Sequence, residues 1–332
     1  MSTLFALAVL TLAPSATQDA PTKLITDHGV ELRADEDVFV LFAALNAAGY
    51  AEETERKGPP LRAPVFHAIR VDVRDALRKV RDKPSMEGVR KLFETNPGEI
   101  EDYLSAALAE GKAELSPAAK KIRPKLDGVF SKLREEAALV ALFDKLSEDQ
   151  RNHAKELKTK LEADFAAASK ILGGDPLRGP ANLVVVPNPL DGHGMVRVVD
   201  HGDVRFLVVG PGFPTARRAI LEAALRASLA APVKAAYGSA RGFSRSWDGL
   251  KTSKRIRTQF TDGPNYLTEG LTAAVAHSVL AKRSRDADED FIDEQARKGM
   301  RWARASLKVL DSAESGAPLA EQLPKIVGKV SP

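Results

Sequence analysis

The sequence predicts an α+β fold, mostly helical, with helices packed around one small mixed sheet. Three observations carry that. From residue 65 to 172, apolar residues recur at three and four spacing, with breaks at Gly, Pro, Asn and Ser. From 173 to 210 the composition switches to short β-branched runs, "NLVVVPNPL", "MVRVVD" and "VRFLVVG". Helical periodicity then returns from 214 to 310. The order is helices, sheet, helices, which is an α+β pattern and not an alternation of strand and helix.

The 332 residues suffice for one large core or two modest ones. A chain with 44% hydrophobic and 28% charged residues is globular, not disordered. Its net charge of +4 is too mild over this length to signal nucleic acid. It has no cysteine, so disulfides, thiolate catalysis and cysteine-held zinc are excluded. "LFALAVLTLA", residues 4 to 13, is uncharged, too short to span a bilayer, and followed by the small polar run "PSATQDAP". This predicts a signal peptide over residues 1–20, although no Lys or Arg precedes the run. The expectation is export, to the periplasm or outside the cell, of a single unit from 21 to 332 with no transmembrane span. Within it, 21–172 is a helical region and 173–332 carries the sheet and the later helices.

Taken in order, "LITDHGVELR" reads as one short strand or an extended lead-in. "DEDVFVLFAALNAAGY" reads as a helix, acidic at its start and ended by Gly49. "AEETERKGPPLRAP" is a Pro/Gly-broken loop. Six amphipathic segments follow: "VFHAIRVDVRDALRKV", "SMEGVRKLFETN", "GEIEDYLSAALAEG", "SPAAKKIRPKL", "DGVFSKLREEAALVALFDKL" and "SEDQRNHAKELKTKLEADFAAASKIL". The last starts at Ser147, which with Gln150 fits a capping box. After the turn region "GGDPLRGPAN" come the three strands, and "DHGD" at 200–203 predicts a hairpin joining the last two. "PTARRAILEAALRASL", "NYLTEGLTAAVAHSVLAKR" and "DFIDEQARKGMRWARASLKVL" close the chain as helices.

One helix carries a partial motif. Zinc peptidases with HExxH place two histidines four apart on one helical face, and the glutamate between them serves as general base. Here Glu222 falls on the E, but Leu221 and Leu225 fall on the histidines. Leucine offers no lone pair to a metal. The stripe Leu221, Ala224, Leu225, Ser228 and Leu229 reads equally as core. Arg218 and Arg226, four residues either side of Glu222, predict simple ion pairs with it. Further on, "YLTEGLTAAVAHSVL" sets Glu269 inside an apolar helix. The plain account of Glu269 is a first-turn acid favoured by the helix dipole after an N-cap at Asp262 or Asn265.

Together, "VVVPNPLDGHGMVRVVDHGDVRFLVVGPGFPTARRAILEAAL" and "GPNYLTEGLTAAVAH" resemble a group of exported bacterial zincin-like proteins related to gluzincin-type metallopeptidases. In that group a helical region precedes a small sheet, an HExxH helix and a helix bearing a third, glutamate ligand. The resemblance spans residues 180–285, more loosely 30–310. It implies a zincin-like fold, with Leu221, Leu225 and Glu269 at vestigial ligand positions and Glu222 at the vestigial general-base position. With both histidines replaced, it implies no bound zinc and no peptidase activity.

Other metal sets are weak in the sequence. His193 and His201, near Asp191, Asp200 and Asp203, lie at opposite ends of one strand and do not share an ion. Glu222, Glu269 and His277 form a chemically reasonable set, but His277 lies about 12 Å along the helix from Glu269. No GxSxG, GxGxxG or P-loop pattern occurs. "RGFSRSWDGLKTSKRIRTQF" at 241–260 clusters Arg241, Arg245, Lys251, Lys254, Arg255 and Arg257 around Phe243, Trp247 and Phe260. It offers a surface for an anionic partner. Alternatively it is a solvated loop over packed aromatics, neutralised by the acidic run "DADEDFIDE" at 286–294.

The sequence thus predicts a catalytically inactive, zincin-like protein that binds or scaffolds in the cell envelope, holding a protein or peptide in the old cleft without a cofactor. Two alternatives stand beside it: a hydrolase with a non-standard metal site, and a helical envelope interaction protein unrelated to zincins.

Overall fold

The structure is a computed structural model. It describes residues 24–26, 29–48, 71–96, 99–109, 114–172, 182–192, 194–211, 213–237, 247–249, 256, 260, 262–281, 284–300 and 302–313. The expected signal peptide lies outside them.

The lead-in is a hairpin of two very short strands, β1 (Leu24–Ile25) and β2 (Glu31–Leu32). Thr26 organises the turn. Its N–H donates to the Val30 carbonyl, its Oγ1 accepts from the Val30 N–H at 3.0 Å, and Gly29 adopts φ +80°. A side chain is strained at that φ and glycine is not. Helix α1 (Glu36–Ala47) is capped by Asp35, whose carboxylate accepts from the Val38 N–H at 3.0 Å.

Helices α2 (Val71–Arg81), α3 (Ser85–Thr95) and α4 (Ile100–Ala107) match their amphipathic segments. The next two breaks fall elsewhere than the sequence predicts. Helix α5 (Pro117–Arg134) runs through both Pro124 and Gly128. Helix α6 (Ala137–Leu172) runs through Ser147, so the capping box is absent. Ser147 Oγ instead donates to the Asp144 carbonyl within the helix. Gln150 is turned inward and buried, its Nε2 directed at the Pro187 carbonyl at 3.5 Å.

Strands β3 (Asn182–Pro187), β4 (Val196–His201) and β5 (Val204–Val209) complete a mixed five-stranded sheet in the order β1-β2-β3-β5-β4. β2 and β5 flank β3 in parallel, and β4 returns antiparallel beside β5 through the expected turn, with Gly202 at φ +62°. Helices α7 (Phe213–Tyr237), α8 (Gly263–Leu280), α9 (Arg285–Arg297) and α10 (Ala303–Ala313) follow. The last predicted helix is therefore two, parted at Gly299, which has φ +93°.

The sheet separates two cores. Val184, Val186, Val199, Phe206 and Val208 face α1 to α5 and the first half of α6. Leu183, Val185, Leu207 and Val209 face the second half of α6 with α7, α8 and α10. Period-2 alternation along β3 and β5 sorts the side chains in this way. The molecule is a mostly helical α+β protein, and none of its described helices is long and apolar enough to cross a membrane.

Candidate functional site

The residues singled out by the partial motif lie on two packed helices. Helix α7 begins at Phe213, close after β5, and runs past Pro232 to Tyr237. Asp262 caps α8, accepting from the Asn265 N–H at 2.7 Å. Because α8 starts at Gly263, Glu269 sits in its second turn, so the first-turn account of Glu269 does not hold.

Leu221 and Leu225 are wholly buried in the core that also contains Leu267 and Leu271 of α8. Glu222 and Arg226, four residues apart on the adjoining face, are half-buried. Arg218 Nε donates to Glu222 Oε1 at 2.9 Å. Arg226 does not take the Glu222 carboxylate in a hydrogen bond; it crosses to α8 and grips Glu269 with both arms of its guanidinium. Its Nη2 reaches Glu269 Oε2 at 2.8 Å. Burial disfavours the charged guanidinium, but the hydrogen bonds and charge of Glu269, with Glu222 and Asp200 nearby, hold its pKa above the ordinary value. Three carboxylates with their own arginines thus lie near the seam of α7, α8 and the end of β4: Glu269 with Arg226, Glu222 with Arg218 and Asp200 with Arg205. Sequence reasoning assigned Arg226 to Glu222. The signal that two arginines competed for one glutamate was present, but the choice of Glu269 depends on how α7 and α8 pack.

His277 does not join Glu222 and Glu269. It is buried two turns further along α8, stacked on Phe291 at 4.3 Å, with Nε2 2.8 Å from Asp288 Oδ1. Of the other candidates, Asp191 is bound bidentately by Arg197 at 2.7 and 3.0 Å. Asp200 is bound in the same way by Arg205 at 2.6 and 2.9 Å. His201 is buried, with Nε2 3.0 Å from Ser105 Oγ of α4, and lines a cleft of about 800 Å³ at the sheet end with Glu31, Arg33, Asp203 and Phe206. His193 lies outside the described residues. Among the described residues, no three His, Asp or Glu side chains converge as a metal site.

The basic connector is described only in part. Arg241, Arg245, Lys251, Lys254, Arg255 and Arg257 lie outside the described residues. Trp247 packs on Tyr266 at 5.4 Å and beside Gly263, and Phe260 is buried edge-on to Tyr266 at 4.9 Å. Phe260 is thus a core residue, while Trp247 is partly buried, packed against the core with part of its surface still exposed. Three acids of the 286–294 run have their own partners: Asp288 pairs with His277, Glu289 with Arg304 and Glu294 with Lys298.

Comparison with known proteins gives no further lead: no family model, no curated protein and no solved structure matches the chain.

Proposed function

We propose that the chain is a non-catalytic, zincin-related protein with a binding or scaffolding role in the cell envelope. One observation above all supports the reading. The carboxylate that the resemblance assigns to the third zinc ligand, Glu269, is held by the protein's own cation, Arg226. A guanidinium neutralises a carboxylate bidentately, but it has no open position at which to activate water. Leucine at 221 and 225 adds core packing in place of ligands. A general base must be able to take a proton, and Glu222 is engaged by Arg218. That speaks against the hydrolase reading.

The test is metal content. The chain, purified without a histidine tag, is expected to hold well below one equivalent of zinc before and after zinc is added. Near one equivalent would end the non-catalytic reading. The triple variant Leu221→His, Leu225→His, Arg226→Ala removes the resident cation and restores both imidazoles. It is expected to take up zinc. A folded triple variant that stays metal-free would end the zincin relationship. Recovery of the protein from the cytoplasm after cell fractionation would end the envelope role.

A further inference from the structure

β4 ends the sheet on its side, and no described strand pairs with its outer edge. The register fixes which of its backbone groups face outward. His201 pairs with Val204 across the two-residue turn, and the Gly210 N–H donates to the Met195 carbonyl at 2.9 Å. Hydrogen-bonded pairs alternate along an antiparallel ladder. Met195, Arg197, Val199 and His201 therefore turn their backbone groups to β5, and Val196, Val198 and Asp200 turn theirs away.

This edge lacks the usual protection. Edge strands are commonly blunted by outward lysine, by proline or by a bulge. The run "VRVVDH" has none of these. Arg197 is folded onto buried Asp191. Val198 is 47% exposed, although it is a β-branched residue in mid-strand. The one exposed acid, Asp200, is neutralised on both oxygens by Arg205. Among the described residues the edge thus presents backbone with no strand partner, an exposed valine and no net charge.

We propose that β4 is a self-association edge, on which a second copy of the chain adds its own β4 antiparallel about a two-fold axis at Val198. Three outward residues centred on Val198 are self-complementary. A single antiparallel register uses them all, with Val198 opposite the partner's Val198 and Val196 opposite the partner's Asp200. Every outward N–H then meets a carbonyl. The two valines come to about 5.5 Å between Cα atoms on one face, and the two Asp200 carboxylates stay about 13 Å apart along the strands. The contact is isologous, so it closes as a dimer and does not propagate. A short strand edge falls below the roughly 1,200 Å² of a stable interface, so the dimer is concentration-dependent. This inference does not rest on the zincin-related reading, and metal content does not bear on it.

The test is sedimentation velocity on the full chain over a concentration series, with crosslinking. The mass is expected to rise from 35.8 kDa toward twice that value. Val198→Lys places a charge at the axis, and Val198→Pro removes only an outward N–H, a position where an edge strand accepts proline. Both variants are expected to stay monomeric. The chain has no cysteine, so Val198→Cys is a clean probe for a short bis-maleimide. Val140→Cys, at an exposed site on α6, is the control. A covalent dimer is expected from Val198→Cys alone. Any of three results overturns the proposal: a monomer at every concentration with equal crosslinking at both sites, association that both Val198 variants leave intact, or a monomer that accepts an unrelated extended peptide on this edge.

Discussion

On the N-terminal side of the sheet an ion pair is enclosed: the Arg197 and Asp191 side chains are 6% and 0% exposed, with Arg197 over the ring of Phe42. On the C-terminal side each pair keeps a partner at the rim. Arg226 and Glu269 are 32% and 22% exposed, and Arg217, 31% exposed, reaches inward to Asp164 of α6, which is 6% exposed. The enclosed pair ties the 188–195 loop to its own strand. The rim pairs tie one helix to another. An enclosed charge that loses its partner cannot recover its hydration, while a charge at the rim can. The Arg197–Asp191 and Arg226–Glu269 pairs therefore differ in what a single substitution does, even though both sides are packed with the same kinds of apolar residue.

The largest effect is expected at the enclosed pair. Arg197→Ala should lower stability by about 3–5 kcal/mol, because it strands the Asp191 carboxylate, whereas Arg197→Met with Asp191→Leu should cost much less. Urea titration of the two variants checks this, and equal losses would show that the pair is not the cause. On the other side, Leu225→Ala should cost about 2–5 kcal/mol by the same measurement, through lost burial and the cavity left. A loss near zero would mean that α7 is not seated in the core.

Alkaline pH reaches tyrosines on both sides, since burial also raises Tyr237 of α7, and Tyr103 probes the N-terminal side. Burial, with Asp102 nearby, pushes Tyr103 up to about 12. Between pH 10 and 12 the folded chain keeps a proton that the unfolded chain releases. Stability should then fall with rising pH, by at most about 1.4 kcal/mol per unit. Tyr103→Phe should flatten that slope in denaturation curves recorded across the range. At the rim, Arg226→Ala should cost about 1 kcal/mol, since solvent reaches the Glu269 carboxylate it leaves behind. Glu222→Gln should change stability by less than about 0.5 kcal/mol, as a partly exposed pair between helix neighbours. A loss at Arg226 as large as that at Arg197 would erase the distinction between the two pairs.

Much of the fold was legible in the sequence because its signals are local. Alternating Val and Leu in "NLVVVP" and "VRFLVV" marks strands, and Gly202 marks the hairpin. The misses share a cause. Ser147 and Gln150 have the right spacing for a cap, but that spacing also occurs inside a helix, and the sheet carbonyl facing Gln150 comes from Pro187. The pairing of β2 with β3 joins residues on either side of the whole N-terminal helical region, and two residues of strand carry almost no periodic signal. At the candidate site, the residue types and the Arg218–Glu222 pair were readable, being one helical turn apart. The Arg226–Glu269 grip was not, since it depends on the relative placement of α7 and α8. Nor was the packing of Trp247 against Tyr266 and Gly263, a position where any Cβ would strike Tyr237.

Helix α6 has 36 residues, about 54 Å of continuous rod. Its first half belongs to one core through Leu139, Leu142 and Leu146, and its second half to the other through Leu157, Leu161 and Phe165. It acts as a spine. A load applied at one end is carried past the sheet without crossing a loop, and neither core can melt without fraying the helix that the other holds. Pulled from its two ends in an optical trap, α6 should yield in a single rip, and a proline placed at Gln150 should split that rip in two.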